Sequence, residues 1–270
     1  MVKKLFKHEI AAYLRLWLPI QIILFSIAGL SRVVQFFESN TIAYSFVFRS
    51  SIFMYVVGII AAMGFVTVYS IVRYYKNLFS GEGYLTFTLP VTPTAHILVK
   101  LLTSFLFTVA TLASIFLSFC LITAGEVTVE VFKAAAYVCA RIINFAGVGN
   151  FILYIIEAVV MFSVTALAGM LLYYVCITLG QLFNKHRVLA AVGIYYAQYV
   201  VTQILSTIFV VVFAALSYSS LFEAISEFIV HNTIEAIHIM FCMSILFALI
   251  IGTVYFFITK LIIRRRLNLE

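Results

Sequence analysis

The chain has no aspartate, a single tryptophan and three prolines, and only 10% of its 270 residues are charged. With 65% hydrophobic residues and a mean hydropathy of +1.17, it has too little polar surface to enclose a water-soluble core. A soluble class is excluded and an integral membrane protein is indicated. A soluble body on one anchor is excluded too, because the apolar character runs from end to end. Other absences narrow the chemistry. No GxxxxGK[ST] segment occurs, so the chain is not itself an ATPase, and any nucleotide site that powers it belongs to another polypeptide. No GxSxG, no HExxH and no paired intramembrane carboxylates occur, so catalysis is not expected. Cys120, Cys139, Cys176 and Cys242 form no CxxC and read as small buried apolar residues. There is no internal repeat and no low-complexity segment, which leaves one membrane domain over 1–270.

What is present is a series of apolar runs. A crossing takes about 20 apolar residues, and six stretches qualify: 18–37, 51–72, 101–124, 151–179, 188–216 and 239–260. Before the first, residues 3–17 place Leu5, Phe6, Ile10, Tyr13, Leu14 and Trp17 on one helical face and Lys3, Lys4, Lys7, His8 and Arg15 on the other. That pattern predicts an amphipathic helix in the headgroup layer; the plainer alternative is an inward extension of the first span. Lys3, Lys4 and Lys7 ahead of an apolar run imitate a signal peptide. The run is long, no small-residue cleavage site closes it and five spans follow, so retention is expected. A moderately polar, partly helical connection is expected at 125–147, a short loop at 180–187 and an amphipathic stretch at 218–238.

Orientation follows from counting. If both ends and the 73–100 and 180–187 loops share a side, that side holds 13 of the 17 Lys and Arg residues, leaving Arg32, Arg49, Lys133 and Arg141 for the other. The positive-inside rule then places both termini in the cytoplasm. The net charge of +7 is therefore explained by topology, and no nucleic-acid partner is implied.

The stretch RYYKNLFSGEGYLTFTLPVTPTAHILVK, residues 73–100, is the one long segment unsuited to lipid. Structureless loops beyond about 12–15 residues are uncommon and usually functional. Thr92 before Pro93 is a helix-start signal, so a helix is expected to begin there and feed the third span. Upstream, Gly81-Glu82-Gly83 sets a lone carboxylate between flexible residues, and Tyr84, Leu85, Phe87 and Leu89 follow. Aromatics beside one acid and several bases describe an interface; the alternative is that 84–89 tuck back under the bundle.

The segments Glu82-Gly83-Tyr84-Leu85 and Phe87-Thr88-Leu89-Pro90-Val91-Thr92, set between the second and third of six spans, resemble permease subunits of ABC-2 type ABC transporters. The amphipathic N-terminal segment, the six spans and the helical last outside connection are similar too, so the resemblance covers the whole chain. It implies an all-α integral membrane fold with an N-terminal interfacial helix, a cytoplasmic coupling helix in 73–100 and an outer helical hairpin before the sixth span. It also implies a separate ATPase subunit that carries ATP and Mg, a second permease copy, and no cofactor on this chain. Residues 77–94 become the coupling region, with Asn77, Glu82, Gly83, Tyr84, Leu85, Thr86, Phe87, Pro90 and Thr92 as its contact candidates. The small size and lack of an outer domain are similar to permeases that export amphipathic peptide toxins, such as the phenol-soluble modulin exporters. Export of a hydrophobic or amphipathic substrate from a bacterial cell is the function this implies.

Other constellations are weighed on their residues. Glu223, Glu227, His231, Glu235 and His238 form one stripe on a continuous helix. His and Glu are zinc-ligand types, but HNTIEAIH matches no metal motif, and the stripe is equally the wet face of an amphipathic helix. Glu157 is the only acid within a span, with Arg32, Arg49 or Arg141 the expected partner, or else a substrate or proton role. Gln21, Gln198 and Gln203 either bond between helices or line a translocation path. Gly58 and Ala62 form a small-xxx-small pair suited to close helix approach. A stand-alone secondary transporter or channel is the rival reading, for which Pro19 and Glu157 are the sequence features; a non-transporting partner of an ATPase is the third.

Overall fold

The computed structural model describes residues 2–37, 41–80, 83, 91–183 and 185–266. Among the described residues there are seven helices and no strand: α1 (Val2–Phe36), α2 (Ile42–Phe79), α3 (Pro93–Ile122), α4 (Glu126–Gly180), α5 (Arg187–Leu216), α6 (Ser220–His231) and α7 (Thr233–Arg266). All but α6 are long and apolar enough to cross a membrane, which makes this a multi-pass membrane protein with six candidate spans. The chain packs as two units, residues 1–141 and residues 142–270.

In the first unit α1 lies along α2 and α3. The helices begin where the chain chemistry allows. Thr41 accepts from Tyr44 N–H to cap α2, and Thr92 accepts from Ala95 N–H with Pro93 in the first turn of α3. The segment 3–17 is not a separate helix: α1 runs unbroken from Val2 through Pro19. Tyr13 stands level with Ser70 and Ser104, and Trp17 with Thr111, all within the second and third spans. The N-terminal turns of α1 therefore pack on the same two helices as the rest of it. The core is built from Leu24, Ala28, Tyr55, Ala62 and Ile122. Ala62 is fully buried, and a Cβ on Gly58 would stand 3.4 Å from Leu24 Cδ1, so this pair does mark the close approach of α1 and α2.

The expected connection at 125–147 is helical from Glu126 onward, and the α4 helix is interrupted only at Gly147. There φ is +84°, a conformation that only glycine adopts without strain. In the second unit α7 approaches α4 closely at Gly252, where an added Cβ would lie 3.3 Å from Ala168 Cβ. Tyr173 stacks on Tyr195 of α5, ring centres 5.6 Å apart. No residue of α5 is buried within the protein. The 218–238 stretch is divided: Ser219 caps α6, which ends at His231, and α7 starts at Thr233 after the non-helical Asn232. Glu223, Glu227 and His231 thus belong to one helix and Glu235 and His238 to the next, so the single stripe expected from spacing does not exist.

Candidate functional site

The centre of the first unit's loop-side end is a residue that spacing did not single out. Glu9 is only 3% exposed. Its Oε2 accepts from Arg73 Nε, and its Oε1 accepts from Lys100 Nζ at 2.8 Å. Lys100 is itself 4% exposed. The expected 73–100 loop is shorter than its sequence suggests, because α2 continues to Phe79 and α3 begins at Pro93. Arg73 lies in the last two turns of α2 and Lys100 in the first turns of α3, so one carboxylate on α1 ties the two helices that flank residues 80–92 together. Asn77 joins them: with its amide nitrogen on the Arg73 carbonyl (3.1 Å), its oxygen accepts from Lys100 Nζ (3.2 Å). The Arg73 guanidinium also lies 5.9 Å from the centre of the Tyr13 ring. His96, one turn before Lys100, is buried at this end too.

An isolated buried carboxylate is costly, and two cations in hydrogen-bonding contact offset that cost. The same argument makes the set interdependent, since removing one member leaves the others buried with uncompensated charge.

From this cluster a column of polar contacts runs along α3. The Tyr13 hydroxyl bonds Ser70 Oγ and Ser104 Oγ, each at 3.1 Å. Trp17 Nε1 donates to Thr111 Oγ1 at 2.8 Å, and the Tyr55 hydroxyl pairs with Ser118 Oγ at 2.9 Å. Ser104, Thr111 and Ser118 recur every seven residues of α3, so one helical face meets both neighbours. Gln21 lies in the same interior, 4% exposed, and neither end of its amide has a hydrogen-bond partner among the described residues. The reading of Gln21 as an interhelical bond is therefore not met.

Of the coupling candidates, Asn77 belongs to the cluster and Thr92 caps α3. Gly83 is buried, and its N–H donates to the Ser80 carbonyl at 2.7 Å. Glu82, Tyr84, Leu85, Thr86, Phe87 and Pro90 lie outside the described residues. Glu9 was hidden in the sequence by its cationic neighbours. The signal that finds it is helical phase: four residues before Tyr13, it falls on the apolar face of the segment, where an acid needs a partner.

The second unit holds a separate constellation. Both carboxylate oxygens of Glu157 stand 2.9 Å from His238 Nδ1, so within the second unit its partner is a histidine of α7, which the sequence reading did not name. The Tyr154 ring packs on the imidazole with centres 4.6 Å apart, and its hydroxyl donates to the Ile234 carbonyl at 3.3 Å. Gln198 Nε2 donates to Thr202 Oγ1 and to the Tyr255 hydroxyl, joining α5 to α7, whereas Gln203 is exposed. Among the described residues no group of three or more metal-ligating side chains occurs.

No protein-family model, no curated protein and no solved structure matches the chain.

Proposed function

We propose that the chain is the transmembrane permease of an ATP-driven exporter, docked through its 73–100 loop onto a separate ATPase subunit and paired with a second permease. The observation that carries this reading is the Glu9 clamp. Its charges fasten α2 and α3, the helices on either side of residues 80–92, to each other and to α1, so that the three move as one at this end. A push on residues 80–92 then displaces α1, α2 and α3 together. In this reading closure of the ATPase moves the 77–94 region, the clamp passes the movement to the three helices, and a path opens for a hydrophobic or amphipathic substrate such as a toxin peptide. Both termini face the cytoplasm of a bacterial cell, as the positive-inside count supports. ATP and Mg bind the partner, and this chain performs no catalysis.

Purification from the native host in mild detergent tests the reading. A nucleotide-binding subunit should accompany the chain in stoichiometric amount and be lost when Glu82→Arg and Tyr84→Ala are combined. Repeated recovery of the chain alone, also after crosslinking, sinks it. One observation favours a self-contained, ion-coupled transporter instead: the Glu157–His238 pair, since ionisable pairs within spans often mark ion paths. Transport in vesicles containing only this chain, abolished by Glu157→Gln, is the outcome that reading requires.

A further inference from the structure

We infer that the exposed face of α1 formed by Lys3, Lys4, Lys7, His8 and Arg15 is a docking surface for anionic phospholipid headgroups, with Arg15 seated against a lipid phosphate. The inference is independent of any transport role. All five side chains are exposed, and at 100° per residue they fall within an arc of roughly 140° opposite Glu9 and Tyr13. Glu9 is the only acid in residues 1–37, and Arg73 and Lys100 hold it inward. The outward surface is thereby left without an acid.

The register of α1 sets the depth. Tyr13 is level with Ser70 and Ser104, two and three residues inside the ends of the second and third apolar runs. At 1.5 Å per residue Lys7 stands about 9 Å outward of Tyr13, and Lys3 about 15 Å, a spread that covers the headgroup layer and its outer edge. Arg15 lies on the other side of Tyr13, about 3 Å deeper, within the apolar boundary. Exposed Leu14, Leu16 and Leu18 flank it, so its surroundings are acyl chains. Arg15 has no ion-pair or hydrogen-bond partner among the described residues. A guanidinium so placed reaches back along its own stem to the headgroups, and phosphate is the complementary group there. Three lysines within the next four turns add an attraction that a net negative leaflet satisfies and a zwitterionic one does not.

Trp17, two residues from Arg15, is the only tryptophan in the chain and serves as a built-in reporter. The full chain is reconstituted into vesicles of phosphatidylglycerol and phosphatidylcholine at equal mole fraction, with bromine on the acyl chains of one lipid or of the other. Brominated phosphatidylglycerol should quench Trp17 more strongly, corresponding to a preference of about fivefold or more, the factor expected for each basic side chain at an anionic surface. The preference should fall towards one in Lys7→Gln/Arg15→Gln. It should fall likewise for the unmodified chain at about 0.5 M salt, where the screening length drops below ~5 Å. Lys133→Gln should leave it unchanged. Equal quenching by the two lipids in the unmodified chain overturns the inference. So does a preference that survives both the double substitution and the salt, or one that Lys133→Gln removes.

Discussion

At the scale of single residues, Glu9 has the most to lose. Glu9→Gln leaves buried Lys100 and half-buried Arg73 against an uncharged amide. Breaking a buried ion pair by removing one partner costs about 3–5 kcal/mol, so the variant should unfold at clearly lower temperature in detergent. Adding Lys100→Met to that background removes one stranded cation and should recover part of the loss; a double variant less stable than the sum of the two single ones contradicts the clamp. Gly180 is a steric case. A Cβ there would lie 2.7 Å from Ala191 Cβ and 2.8 Å from both Ala191 N and the Arg187 carbonyl oxygen. Two of those atoms are backbone, so the start of α5 must shift to admit it. Gly180→Ala should destabilise by about 1–3 kcal/mol, and Ala191→Gly should relieve it only partly. Full rescue would show that the backbone contacts do not matter.

At the scale of elements, α3 joins the first unit by two kinds of contact of different strength. Its loop-side end is held by charge at Lys100, and its membrane-embedded length by hydroxyls at Ser104, Thr111 and Ser118. Interhelical hydrogen bonds inside membranes average about 0.6 kcal/mol and reach about 1.7. Each of these hydroxyls also donates to a carbonyl of its own helix, so losing the interhelical partner strands little. Tyr13→Phe and Trp17→Phe should therefore each cost less than Glu9→Gln in the same thermal assay. The reverse order would assign the register of the three helices to the hydroxyl column and not to the clamp. Much of this was legible beforehand: the Thr92-Pro93 start, the Gly58/Ala62 contact and the six apolar runs follow from local chemistry. Residues 3–17 form the first turns of α1 and not a helix of their own, and Ile10, Tyr13 and Trp17 of their apolar face pack against Val66 and Phe107.

At the scale of the whole molecule, the proposed role separates docking from transmission. In vesicles holding the permease and its ATPase, Glu82→Arg combined with Tyr84→Ala should abolish association. Glu9→Gln should leave association intact and lower the amount transported per ATP hydrolysed, because the docking segment remains while the helices flanking it no longer move as one. An unchanged transport-to-hydrolysis ratio in Glu9→Gln would falsify transmission through the clamp without touching the docking claim. The Glu157–His238 contact makes a contrasting prediction: if it only fastens α4 to α7, Glu157→Gln lowers thermal stability and leaves that ratio unchanged.

Composition alone determined that this chain lies in a membrane, because no arrangement of so apolar a sequence keeps its surface in water. The spacing of apolar runs determined six candidate crossings, since a run of that length either spans or must be hidden. The lysine and arginine count set the expected orientation. What the tertiary structure decided was which charges meet. Glu9 and Lys100 are separated by 91 residues, and Glu157 and His238 by 81. A helix constrains only neighbours three or four positions apart. Partners across such distances are chosen by the packing of α1 on α2 and α3 and of α7 on α4, and that choice turned an inconspicuous glutamate in a basic segment into the residue that binds both helices flanking residues 80–92.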